Sequence, residues 1–173
     1  MKTLVIAVFA MVVIPAWAGP ERIAYPAGYA QSFLLYNQIE RPDRKPNQIR
    51  FMYVNRAPAQ AAKAGAAVPN GTILIMEDRE VKMDTSGQPL RDAQGRMVGS
   101  DKVLNVWVQQ KEAGWGSAYP AEKRNGDWDY AVFNADGTPR ANASFDGCFA
   151  CHTSRAGRDY TFTFVKWLID GKP

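Results

Sequence analysis

Cys148-Phe149-Ala150-Cys151-His152 is the stretch on which the reading of this chain depends. Its pattern is C-x-x-C-H, the attachment motif for a c-type haem. Two thiols three positions apart lie on one side of a single helical turn. There each can add to one of two vinyl groups on the same edge of the macrocycle, while the next residue brings its imidazole under the ring as the proximal iron ligand. His152 is the only histidine of the chain, and Cys148 and Cys151 are its only cysteines. Two other readings compete. A redox-active C-x-x-C disulfide belongs to a βαβ setting that the flanking sequence does not offer. A structural zinc site needs a fourth ligand, and no second C-x-x-C or histidine supplies one. The motif therefore predicts covalently attached haem c, bound by Cys148, Cys151 and His152, with His152 on the iron.

Working outward, the position of the motif bears on the fold. Small soluble c-type cytochromes are almost all helical and carry the motif near the N-terminus, whereas here it comes late, after four strand-like segments. Residues 49–55 (IRFMYVN), 72–82 (TILIMEDREVK), 103–109 (VLNVWVQ) and 127–134 (DWDYAVFN) are rich in β-branched and aromatic residues. Alternation in the first puts Arg50, Met52 and Val54 on one face and Ile49, Phe51 and Tyr53 on the other. Arg50 then either sits on a solvated face or points into a pocket that needs a cation. Residues 29–40 (YAQSFLLYNQIE) place Tyr29, Phe33, Tyr36 and Ile39 close to helical period, which predicts a first helix ended before Pro42. The alanine-rich residues 57–67 predict a short helix. Residues 84–101, dense in Gly, Asp and Ser, read as a floppy or hairpin connection and lack the acidic ladder of a calcium loop. Residues 112–125 read as a loop, and residues 160–169 (YTFTFVKWLI) fit strand or helix. The expected class is α+β: a mostly antiparallel sheet with a few helices packed on it and haem attached near the C-terminus.

At the other end, Met1-Lys2-Thr3 carries one positive charge and precedes an apolar run, residues 4–14, then Pro15 and the small-x-small site Ala16-Trp17-Ala18. This reads as a secretory signal peptide over residues 1–18, cleaved after Ala18, leaving residues 19–173 as a single haem-binding domain in the periplasm. The run is too short to span a membrane, and no later stretch approaches the ~20 apolar residues needed. The formal net charge of the full chain is +4, mild and interspersed. Runs of like charge that would suggest nucleic acid or anionic lipid do not occur.

Four landmarks in order carry a family resemblance: Ile49-Arg50-x-x-Tyr53-Val54, Asn70-Gly71-Thr72-Ile73-Leu74-Ile75, Trp128-x-Tyr130-x-x-Phe133, and the haem motif. With them the chain resembles the cytochrome P-460 and cytochrome c′-beta group, exported, sheet-rich, single-haem proteins. The resemblance implies small ligands such as nitric oxide, carbon monoxide or hydroxylamine, a redox protein partner, and a homodimer. In the hydroxylamine-oxidising members a lysine on the second of these strands is cross-linked to the haem edge, and its position here is held by Met76. A thioether has no amine to bond, and Lys82 lies about 20 Å of extended chain further on. Arg50 matches a family arginine that points into the distal pocket. The family's distal acid has no aligned counterpart: Asp146 is the one acid between Arg140 and Gly147.

Met76 has three readings: core filling, an apolar lining of the distal pocket, or a sulfur ligand opposite His152. Met52, Met83 and Met97 are less well placed for that ligand. The expectation is a periplasmic monohaem cytochrome, with Cys148, Cys151, His152, Arg50 and Met76 around the haem. It binds nitrogen-oxide-type ligands or transfers single electrons. The alternative is a haem enzyme oxidising hydroxylamine, against which Met76 argues.

Overall fold

In the computed structural model, which describes residues 22–171, the strand-like segments form strands and a fifth strand joins them. The expected signal peptide, residues 1–18, lies outside the described residues. The sheet is an antiparallel meander in the order β1 (Leu34–Arg41), β2 (Gln48–Val54), β3 (Ile73–Val81), β4 (Gly99–Lys111) and β5 (Trp128–Phe133). Four short α-helices accompany it: α1 (Tyr29–Ser32), α2 (Arg56–Ala61), α3 (Asp146–Thr153) and α4 (Phe164–Ile169). This is the α+β architecture expected from the order of segments.

The predicted first helix, residues 29–40, is corrected. Only Tyr29–Ser32 is helical, and from Leu34 on the segment is β1. The reason is a β-bulge. Leu35 pairs with Tyr53 and Asn37 with Met52, leaving Tyr36 as an extra residue in the ladder. An inserted residue breaks the two-residue alternation and sets Tyr36 and Ile39 three apart, which together with Tyr29 and Phe33 mimics a helical period. The bulged Tyr36 packs against Phe164 and Trp167. The second predicted helix is real but ends at Ala61. Residues 160–169 resolve as a turn followed by α4. The Gly- and Asp-rich excursion is ordered by two turns, in which Asp84 Oδ1 accepts the N–H groups of Ser86 and Gln88 and Asp92 Oδ1 those of Gln94 and Arg96.

Two adjacent rows across the sheet define its faces. Tyr53, Ile75, Val108 and Ala131 are register partners in β2 to β5 and form one core with Ile23, Tyr29, Val106 and Phe133. One residue along, Met52, Met76, Trp107 and Val132 form the row on the opposite face. A step of one residue moves a side chain from one face to the other. Near one end of this second face, Val54, Leu74 and Trp128 pack against Phe164, Val165 and Leu168, joined by Ala59 of α2 and by Ala62 just after it. Near the other, Tyr130 and Val132 pack against Phe145 and Phe149. Between these clusters the face stays open.

Candidate functional site

α3 carries the motif. Cys148 and Cys151 are free thiols, the first half-buried and the second exposed, and His152 is half-buried between aromatic rings. The helix is clamped to the sheet from below. Asn125, fully buried, donates through Nδ2 to the Phe149 carbonyl at 3.0 Å and to Tyr130 Oη at 2.8 Å, and its Oδ1 accepts from Thr153 Oγ1 at 2.9 Å. Phe149 packs on Tyr119 and Tyr130 with ring centroids 4.8 and 4.9 Å away. Every polar group of the clamp has a partner, as burial requires.

The His152 ring lies 4.9 Å from Tyr130 and 5.0 Å from Phe162, centroid to centroid. Its Nδ1 is 2.7 Å from the carbonyl oxygen of Tyr160. A carbonyl only accepts, so Nδ1 carries the proton and Nε2 is left as the nitrogen available to a metal. Burial holds the imidazole pKa below its ordinary value, with the Tyr160 contact acting in the opposite sense. Burial also pushes the Cys148 thiol up, and the neighbouring Cys151 adds to it.

Beside these three residues is a cavity of about 400 Å³, enclosed by α3, residues 161–164 and the open face of the sheet. Arg50, Met52, Met76, Trp107, Tyr130 and Tyr36 are among its lining residues, so the structure brings all five sequence-predicted site residues to one space. Arg50 is not a free surface cation. Its register partner is Asp78, and the two form a bidentate pair, Nε to Oδ1 at 2.7 Å and Nη2 to Oδ2 at 2.9 Å. The planar fork fixes the guanidinium at the cavity wall and leaves Nη1 uncommitted to Asp78.

The methionines separate clearly. Met52 Sδ accepts weak hydrogen bonds from Thr163 Oγ1 at 3.4 Å and Asn37 Nδ2 at 3.7 Å. Met83 is exposed, and Met97 packs with Ile49 and Val81 outside the cavity lining. Met76, with no such contact recorded for its sulfur among the described residues, lines the cavity from the middle of the sheet. Tyr36, freed by the bulge, shares a hydrogen bond with Thr163 Oγ1 at 2.9 Å, and burial pushes its pKa up to about 12.

Several participants escaped the sequence reading. The Tyr160 acceptor is a backbone atom and has no signature in side-chain chemistry. Asp78 was visible as a charge on β3 but not as the partner of Arg50, which only the register reveals. Trp107 is a cavity-lining residue whose indole N–H is buried without a hydrogen-bond partner among the described residues.

The residues present fit a haem. Two free thiols, an imidazole with its second nitrogen anchored, and a largely apolar cavity of cofactor size converge at one place. Fold and site together define a haem protein built on an antiparallel sheet. The chain belongs to the cytochrome P460 family, whose sequence profile matches residues 26–163. It is accordingly a haem-binding cytochrome, a class whose partners are small ligands or redox proteins. No curated protein matches the chain significantly.

Proposed function

We propose that the protein is an exported monohaem c-type cytochrome in which Cys148 and Cys151 hold the haem covalently and His152 is the proximal ligand through Nε2. It binds small nitrogen-oxide-type ligands or passes single electrons. The observation that carries this reading is the His152 Nδ1 bond to the Tyr160 carbonyl, which sets tautomer and ring orientation for metal ligation. When bound, the haem iron supplies a sixth coordination position and a one-electron couple.

The chain's own residues shape what reaches that position. Arg50, held by Asp78, offers a hydrogen-bond donor to a nitrogen oxide or anion. Met76 keeps the wall apolar and, lacking an amine, provides no cross-link of the kind used by hydroxylamine-oxidising relatives. A second reading rests on the same residue: the Met76 sulfur as sixth ligand, giving a six-coordinate electron carrier. Export through a leader cleaved after Ala18 and a periplasmic location belong to this proposal on sequence grounds. No helix among the described residues is long and apolar enough to cross a membrane. A homodimer, implied by resemblance, is checked by the mass of the purified protein in solution.

Ferric and ferrous absorption spectra, with and without carbon monoxide, test the assignment. An ordinary high-spin c-type spectrum that responds to the gas is expected. A low-spin spectrum indifferent to it would make Met76 a ligand and the protein an electron carrier. A strongly red-shifted ferrous band would reveal a cross-linked haem and restore hydroxylamine oxidation.

A further inference from the structure

The carbonyl that orients His152 serves a second donor. Gln109 Nε2 donates to Tyr160 O at 3.1 Å, alongside His152 Nδ1 at 2.7 Å. Gln109 is buried on β4 and lines the cavity. Two residues on, and on the same face, Lys111 is also buried; its Nζ donates to the Val68 carbonyl at 2.9 Å and pairs with Asp159 at 2.6 Å. Asp159 further accepts the Val68 N–H at 2.7 Å and Trp128 Nε1 at 3.3 Å.

This arrangement explains an unusual backbone. Asp159 and Tyr160 both lie in the left-handed region, with φ of 46° and 56°. Non-glycine residues hold such angles where their surroundings over-determine them. Here Lys111, Val68 and Trp128 secure Asp159, the Arg155 carbonyl accepts the Tyr160 N–H at 2.9 Å, and Gln109 takes the Tyr160 carbonyl. β4 therefore sets where the axial histidine finds its acceptor.

A carbonyl oxygen has two lone pairs and accommodates both donors, but each donor drains electron density that the other would use. An imidazole whose Nδ1–H bond is weaker is a less basic metal ligand. We propose that Gln109 is a positioning and tuning residue for the axial ligand. By sharing the Tyr160 carbonyl it limits the His152 hydrogen bond and holds the haem iron at a higher reduction potential than an unshared carbonyl would give. The inference rests on His152 being the iron ligand, as proposed above.

Gln109→Met keeps side-chain length and removes the donor. Because His152 is the sole histidine, selective ¹⁵N-histidine labelling reports on it alone. The sample is haem-loaded protein, reduced under carbon monoxide and so diamagnetic. In the variant, the His152 Nδ1 proton is expected to move downfield and exchange more slowly, and the midpoint potential, titrated without the gas, to fall. A folded, haem-loaded variant with both unchanged overturns the inference. If the variant does not fold, the parent protein decides: a nuclear Overhauser contact between the Gln109 amide and the His152 Nδ1 proton is expected, and its absence overturns the shared carbonyl. A parent His152 Nε2 resonance without a coordination shift overturns the ligand assignment, and with it this inference. A shifted Nε2 with an indifferent Gln109→Met overturns the inference alone.

Discussion

Met76 and Glu77 are neighbours in β3, yet one lines a cavity of about 400 Å³ and the other is sealed on the opposite face at 1% exposure. Both faces bury ionic groups, and they use them differently. Glu77 accepts hydrogen bonds from Tyr29 Oη and from Arg79 Nε and lies outside the lining of that cavity. Its surroundings are dry enough that burial raises the Tyr29 pKa and pushes that of Tyr53 up to about 12. On the other face the Arg50–Asp78 pair stands at the rim of open space, with one guanidinium nitrogen uncommitted to Asp78. One strand therefore serves stability with one parity of residues and chemistry with the other.

The strongest way to break this contrast is to remove the chemistry alone. Replacing Cys148 and Cys151 together by Ala should abolish covalent haem, read as loss of haem that survives acid–solvent extraction, while the Tyr29–Glu77 face keeps its near-ultraviolet circular dichroism. Full covalent retention would sink the central assignment. The next largest effect lies on the other side. Glu77→Leu leaves Arg79 without its carboxylate and should cost about 3–5 kcal/mol in denaturant unfolding, the range for breaking a buried pair. Ligand kinetics in the folded remainder should stay as in the parent; a change there would mean that the faces are coupled. Arg50→Leu differs in its kinetic effect. It leaves the buried Asp78 carboxylate unpaired, at a stability cost in the same range of about 3–5 kcal/mol, but it should also change the nitric oxide dissociation rate severalfold, and an unchanged rate would remove Arg50 from the ligand's reach.

The smallest effect is a slope. Burial raises the Asp129 carboxyl above its ordinary value of 3.8, against the opposing contacts of Tyr119, the Tyr130 N–H and Arg22. Over the interval from 3.8 up to the raised value the folded state retains a proton that the unfolded state has released, so stability falls as pH rises. Asp129→Asn should flatten that part of a melting-temperature profile relative to the parent; identical slopes would show that Asp129 titrates normally.

The legible part of this molecule was local. C-x-x-C-H announces its chemistry in five residues, and strict alternation in residues 49–55 puts Arg50 and Met52 on one shared face, which the fold then shows to line the cavity. What stayed hidden depends on register or on backbone. No sequence pattern pairs Arg50 with Asp78, because that partnership is set by how β2 aligns with β3. The Tyr160 carbonyl is placed by two consecutive left-handed residues that carry no glycine signal. The bulge at Tyr36 actively misleads, since one inserted residue turns a strand's period into an imitation of a helix.

That bulge also bears on how copies of the chain meet. β1 is an edge of the sheet, and a long regular edge offers a row of unpaired backbone groups to any passing strand. An extra residue near its start bends the edge and interrupts the hydrogen-bond spacing that a second sheet would need to match. At the far edge, the hairpin that follows β5 folds back so that the Arg140 N–H meets the Val132 carbonyl and the Asn134 N–H meets the Thr138 carbonyl. With one border bent and the other partly covered, side-by-side pairing of two such sheets is hindered at both edges.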